Sequence, residues 1–192
     1  MAPAGSYESL EAGIKAGCDS VYFGIEQLNM RARASNNFTL TDLRRIVERC
    51  NKDNVKTYLT LNTILYDHDI NLMKKICDAA KESEVSAVIA SDVAVISYAN
   101  LIGLEVHIST QVNVSNIETV RFYSKFADVI VLARELTLQQ IKDICEDIKR
   151  EEIKGPSGEL VRIEIFAHGA LCVAISGKCY MSLATENASA NR

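Results

Sequence analysis

Short β-branched runs alternate with amphipathic segments along almost the whole chain, and this alternation constrains the fold more than any other feature. The strand-like runs are Ser20–Phe23, Val55–Asn62, Ala87–Ala90, Glu105–Ser109, Val129–Leu132 and Arg162–Ala167. Apolar residues at helical spacing cover Tyr7–Ala16, Thr41–Asp53, Ile70–Ser83, Val93–Leu101, Ile117–Phe126 and Leu138–Arg150. Ser6, Thr39 or Thr41, Asp69, Asp92, Ser115 or Asn116, and Thr137 stand where side-chain N-caps are expected. A strict β-α-β-α order needs parallel strands joined by helical crossovers.

Parallel units close into a (β/α)8 barrel or spread into an open doubly wound sheet. No strand is followed by a Gly-rich dinucleotide fingerprint, which counts against the open sheet. Polar residues instead recur where strands end: Asn62, Ser91–Asp92, Ser109–Gln111, Arg134–Glu135 and His168. A barrel gathers all its strand ends on one face, so these residues would line one mouth. A full barrel takes about 250 residues and eight strands. Here six runs are clear, and Ala2–Ala4 reads as the stub of another. The expectation is one domain over 1–192, an incomplete α/β (β/α)8 TIM-barrel-like fold of six to seven units, with the C-terminal remainder absent. Unpaired sheet edges in such a piece would favour self-association. The Gly155–Gly158 sequence GPSG reads as a surface turn rather than a boundary.

With 48% hydrophobic residues in 192, the chain can bury a sizeable core. No apolar run is long enough for a membrane span, and no signal peptide precedes the first helix, so a soluble, cytoplasmic protein without a membrane partner is expected. A net charge of −4 gives no global pull on nucleic acid, though a local basic patch is compatible with it. Cys50, Cys77 and Cys145 complete helical stripes and Cys18 lies at a helix–strand junction, so each is expected to act as a small buried hydrophobe.

Cys172 and Cys179 fit no stripe. They follow His168 in EIFAHGALCVAISGKCYMS, residues 164–182, a strand that breaks at Gly169 into a loop rich in small residues where backbone or a cofactor can approach. Cys172 as thiolate with His168 as base is the nearby pair for nucleophilic catalysis, its orienting group having to come from another strand end. Two soft thiolates are equally half of an iron–sulfur site, and with His168 they fall short of a four-ligand zinc site. Packed thiols in a tight loop are the plain structural alternative. Asp92 reads equally as a helix cap, Glu135 as a partner of Arg134, and Asn62 or Gln111 as satisfying loop backbone. His107 reads as a strand-interior residue and His68 as surface. Asn29, Arg31 and Arg33 lie on a long loop after Gly24, suited to an anionic substrate or RNA phosphate, to a lid, or to plain surface.

The 164–182 segment resembles the signature of the U32 peptidases, the collagenase-like proteases. Glu164, Phe166, Gly169, Ala170, Leu171, Cys172, Gly177, Cys179, Met181 and Ser182 meet its fixed positions. APAGS at the start, SVYFG at 20–24, HISTQVN at 107–113 and LAREL at 132–136 are weaker matches, so the resemblance covers the whole chain. It implies a TIM-barrel-like domain. In branches of the family it implies a [4Fe–4S] cluster supporting hydroxylation of tRNA or rRNA bases or of quinone precursors. The first two ligands map onto Cys172 and Cys179, with the other two beyond this chain. The resemblance then gives three readings. The first is RNA base hydroxylation, with His168 and Glu164 flanking the cluster and Asn62, Asp92, Gln111, Arg134, Glu135 and Arg31 holding the target base or a small carboxylate co-substrate. The second is peptide hydrolysis by Cys172 and His168. The third is a non-catalytic piece that binds RNA or a partner.

Overall fold

A computed structural model describes residues 1–25, 27–29, 38–169, 172 and 174–187. The fold is α/β and incomplete TIM-barrel-like, with seven strands alternating with helices among the described residues. The chain divides into two compact units, Met1–Glu105 and Val106–Arg192.

The first unit holds β1 (Ala2–Pro3), α1 (Tyr7–Lys15), β2 (Ser20–Phe23), α2 (Leu43–Asn51), β3 (Lys56–Leu61), α3 (Ile70–Glu82), β4 (Ala87–Ala90) and α4 (Val93–Leu101). Each strand adds in parallel beside the one before it, with Tyr22 facing Tyr58 and Tyr58 facing Ala87 across the ladder. Period-two alternation sends Tyr22, Tyr58, Ala87 and Ile89 to one face, where they cluster. Val21, Phe23, Leu59, Leu61 and Val88 go to the other face and are fully buried. Helix α2 buries Leu43, Ile46, Val47 and Cys50, and α3 buries Met73, Ile76, Cys77 and Ala80, each a one-sided stripe. Arg49 of α2 grips Glu11 of α1 through two hydrogen bonds of 2.6 and 2.8 Å, fixing neighbouring helices in register.

The second unit holds β5 (Val106–Ile108), α5 (Ile117–Tyr123), β6 (Val129–Val131), α6 (Leu138–Arg150), β7 (Arg162–Glu164) and α7 (Tyr180–Glu186). His107 faces Val129 and Ile130 faces Ile163 in parallel register. As expected, His107 is a strand-interior residue, 2% exposed. Arg121 of α5 bridges to Glu151 at 2.7 Å, just past α6. Asp128 organises the Gly155–Gly158 turn: its Oδ1 accepts from Ser157 Oγ at 2.6 Å and from the Ser157 amide at 3.1 Å. A Cβ at Gly155 would sit 2.9 Å from the Asp128 Cα, so only glycine allows this close approach.

Three local expectations change. The last strand ends at Glu164 rather than Ala167. Its final rung is the Leu132 N–H donating to the Glu164 carbonyl at 3.0 Å, and Ile165 and Phe166 beyond it are exposed. A short helix, α7, follows the thiol loop where none was expected. Of the four structural cysteines, Cys50 and Cys77 are buried, whereas Cys18 and Cys145 are half-buried.

Candidate functional site

In the second unit, side chains tie the ends of two strands, β5 and β6, to the thiol loop. After β5, the Thr110–Val112 turn is capped by Ser109, whose Oγ accepts from the Gln111 amide at 3.3 Å. The turn closes on Asn113 in the left-handed region, φ 58° and ψ 45°, a conformation asparagine tolerates better than most residues. The Asn113 Nδ2 then donates to the Gln111 carbonyl at 3.0 Å and to the Ser176 carbonyl at 3.1 Å. One side chain therefore anchors the loop that carries the cysteines.

After β6, Arg134 reaches the same loop. Its guanidinium donates to the Ala174 carbonyl at 3.0 Å and lies 3.9 Å from the Cys172 Sγ. Cys172 is exposed, and backbone hydrogen bonding at Ala174 followed by the Arg134 guanidinium holds its thiol below the ordinary range. Cys179 is half-buried at the start of α7, and hydrogen bonding from the Ser182 hydroxyl and then its backbone lowers that thiol as well. Ionised Cys179 works against ionisation of Cys172, so the two thiols act on each other electrostatically. The helix cysteines behave oppositely. Burial pushes the Cys50 thiol up to about 11 and the Cys77 thiol up to about 12.

His168 is exposed, and no hydrogen bond joins it to Cys172 among the described residues, where the thiol's partners are Arg134 and Ala174. The Cys/His pair is thus not assembled in this conformation. Glu135 is exposed and makes no ion pair with Arg134 among the described residues, because the guanidinium is turned to the loop. Glu164, at the end of β7, buries one carboxylate oxygen, Oε2, that has no hydrogen-bond partner there. Gln111 Oε1 and Asn113 Oδ1 are buried and unpartnered in the same way. Phe166, two residues past Glu164, is 55% exposed, and Tyr180, the first residue of α7, 79%.

The remaining expected site residues lie in the first unit. Asn62 directly follows β3. Asp92 uses both carboxylate oxygens on backbone, Oδ1 capping α4 at Ala94 (2.9 Å) and Oδ2 accepting from the Leu65 amide at 3.0 Å. Asn29 is buried, and its Nδ2 donates to the Ile25 carbonyl at 3.2 Å, folding the start of the long loop on itself. Arg31 and Arg33 lie outside the described residues. Asn113 is the residue that sequence reasoning missed; its signal was an asparagine placed to end a turn within HISTQVN.

An iron–sulfur cluster needs four soft ligands, and the thiol loop offers two, both tuned toward thiolate and one exposed. No group of three or more His, Cys, Asp or Glu side chains suited to a metal occurs among the described residues. The loop therefore fits half of such a site and does not complete one. No described helix is long and apolar enough to cross a membrane.

Comparison with known proteins gives the site its context. A "Collagenase" from Porphyromonas gingivalis is 64% identical over 192 residues, covering 100% of this chain and 46% of that protein. An Escherichia coli protein named as a 23S rRNA 5-hydroxycytidine synthase is 34% identical over 193 residues, covering 100% of this chain and 27% of that protein. Proteins named for tRNA hydroxylation are also among the relatives. The chain thus spans less than half the length of these relatives. A solved U32 peptidase structure superposes with a TM-score of 0.64 at 13% identity, covering 88% of this chain and 92% of that one, a likeness of fold. The family described as peptidase family U32 matches residues 5–192, taking in Glu164, the thiol loop and the strand ends around it, and the chain belongs to that family.

Proposed function

We propose that the intact protein hydroxylates bases in RNA, tRNA foremost, in the cytoplasm. In this reading Cys172 and Cys179 supply two thiolates to an iron–sulfur cluster whose other ligands lie elsewhere in the intact protein. The observation that carries it is the partner of Cys172: the Arg134 guanidinium lies against this thiol, and among the described residues no histidine is bonded to it. A cation beside a thiol favours the thiolate that a metal needs, whereas peptide hydrolysis by a cysteine also needs a group that protonates the leaving amine, which a guanidinium does not do. When bound, the cluster would supply electron-transfer or Lewis-acid chemistry. Arg134 would neutralise negative charge at its edge or hold a small carboxylate co-substrate. Phe166 and Tyr180 offer exposed ring faces on which an unstacked base can rest, the usual mode of RNA base recognition. The relatives named for tRNA and rRNA hydroxylation support this substrate class.

Peptide hydrolysis by Cys172 with His168 is the second reading, favoured by the name of the 64%-identical relative and by the exposed, activated thiol. The two separate in one experiment. RNA from cells with and without the gene is digested to nucleosides and examined by mass spectrometry, beside a peptidase assay on the intact protein. Loss of a hydroxylated nucleoside on deletion, restored by the wild type and not by Cys172→Ser, is the expected result. Unchanged nucleosides with peptide cleavage abolished by Cys172→Ser would replace this reading with the second.

A further inference from the structure

Past the end of β7 the chain has little packing to hold it. Ile165, Phe166, Cys172, Ile175 and Lys178 are exposed, as are most of the described residues of α7. A segment with so few buried contacts opens locally at small cost. Among the described residues from 165 to 187, Ser176 alone is buried, at 5% exposed. Its carbonyl is the one that the Asn113 Nδ2 holds at 3.1 Å. Two residues earlier, the Ala174 carbonyl accepts from Arg134 at 3.0 Å, and the Lys178 amide closes a turn onto the Ile175 carbonyl at 2.9 Å. The loop thus hangs from two strand ends, β5 through Asn113 and β6 through Arg134. Arg134 is exposed, so water competes for its bonds, whereas the Asn113 bond is partly shielded.

Asn113 carries two separate tasks. Its backbone, at φ 58° and ψ 45°, ends the turn after β5, a task that glycine performs with less strain and aspartate about as well. Its side chain spends both Nδ2 hydrogens, one on the Gln111 carbonyl at 3.0 Å and one on the Ser176 carbonyl. Glycine has no side chain for this, and a carboxylate only accepts. The turn alone does not call for asparagine; the tie to Ser176 does.

We propose that Asn113 is the positioning residue of the thiol loop, a latch that keeps the loop folded in the metal-free protein and slows its release of a metal centre. The latch follows from the hydrogen bonds alone, while its consequence for metal rests on the cluster reading above. Asn113 touches neither thiol. It acts through Ser176, midway between Cys172 and Cys179, so that these residues are held in place before any metal arrives. Ligands positioned in advance lose less freedom on binding, which favours both capture and retention.

The test compares the intact wild-type protein with Asn113→Gly, Asn113→Asp and a control, Asn116→Ala. Asn116 caps α5 in the same unit through the Thr119 amide at 2.9 Å, so its loss lowers stability at a distance from the loop's ties. Amide hydrogen exchange is read by mass spectrometry on protein stripped of iron. Exchange over 174–182 is expected to quicken about fivefold in Asn113→Gly, from one lost bond in a lightly held segment. Asn113→Asp should quicken it further, because a carboxylate then faces two carbonyls. Asn116→Ala should lower Tm and leave 174–182 at the wild-type rate. On iron-loaded protein, an excess of chelator should remove iron several-fold faster from both Asn113 variants and at the wild-type rate from Asn116→Ala. A residue that serves the turn alone gives another order, with glycine and aspartate as good as asparagine. Wild-type exchange in Asn113→Gly, equal quickening in Asn116→Ala, or unchanged iron release in the Asn113 variants would each overturn the proposal. The two readings fail separately. An iron-free wild type whose loop still loosens in the Asn113 variants keeps the latch and loses the cluster, whereas an iron-loaded protein indifferent to Asn113 keeps the cluster and loses the latch.

Discussion

The two units use their polar groups differently. In Met1–Glu105, several polar side chains are absorbed by structure, although among the described residues Thr63 Oγ1 is buried without a partner: both oxygens of Asp92 hold backbone amides, Arg49 clamps Glu11, and Asp42 accepts from Tyr7 Oη and the Thr39 amide. In Val106–Arg192, comparable groups are left with capacity to spare. Three acceptors are buried without partners, one thiol is exposed beside a guanidinium, and aromatic rings face outward. Sites keep such unspent polar capacity at a cost in stability, while scaffold regions remove it. The contrast is the reason for placing the proposed chemistry in the second unit.

Four measurements break or sharpen that contrast. The largest expected effect is in thiol reactivity of the metal-free protein. Cys172 lies below the ordinary thiol range, so its thiolate, the reactive form, is populated at lower pH than in a free cysteine. Its alkylation rate should climb before the usual rise near pH 8.5. Cys50 and Cys77, buried with thiols pushed up to about 11 and about 12, should react on the order of a thousandfold more slowly, because they wait for unfolding. Mass spectrometry of the labelled protein reads both, and fast labelling of Cys77 would break the contrast. Next, Leu59→Ala, at a fully buried position in β3, should cost about 2–5 kcal/mol in denaturant unfolding, whereas Cys172→Ala should stay within about 0.5 kcal/mol. Asp92→Ala should cost about 1–2 kcal/mol through the lost α4 cap and the Leu65 tie, which a cap-neutral result would contradict. The smallest effect is Arg134→Met, which should move the pH midpoint of Cys172 labelling upward and slow the reaction a few-fold at pH 7, since the cation favours the thiolate.

How much of this was legible in the sequence follows from which forces decide each feature. Helices and strands were readable because burial of one stripe or one face sets their period. The stripes of α2 and α3 and the cap residues Ser6, Asp92, Asn116 and Thr137 are where the pattern put them. The last strand was over-extended because alternation in Ile163–Phe166 continues past the point where a neighbouring strand can pair. The motif located the thiol loop, yet which group touches Cys172 depends on where Arg134 and His168 come to rest, and spacing along the chain does not encode that. Asn113 went unnoticed for the same reason: its bond to Ser176 spans 63 residues.

The central claim, that Cys172 and Cys179 are ligating thiolates rather than half of a protease dyad, is tested most directly by anaerobic iron and sulfide analysis of the intact protein beside its Cys172→Ser variant. The account predicts about four irons with matching sulfide in the wild type, as a [4Fe–4S] cluster requires, and their loss on substitution. An iron-free wild type that cleaves peptides, with cleavage lost in both Cys172→Ser and His168→Gln, would contradict it.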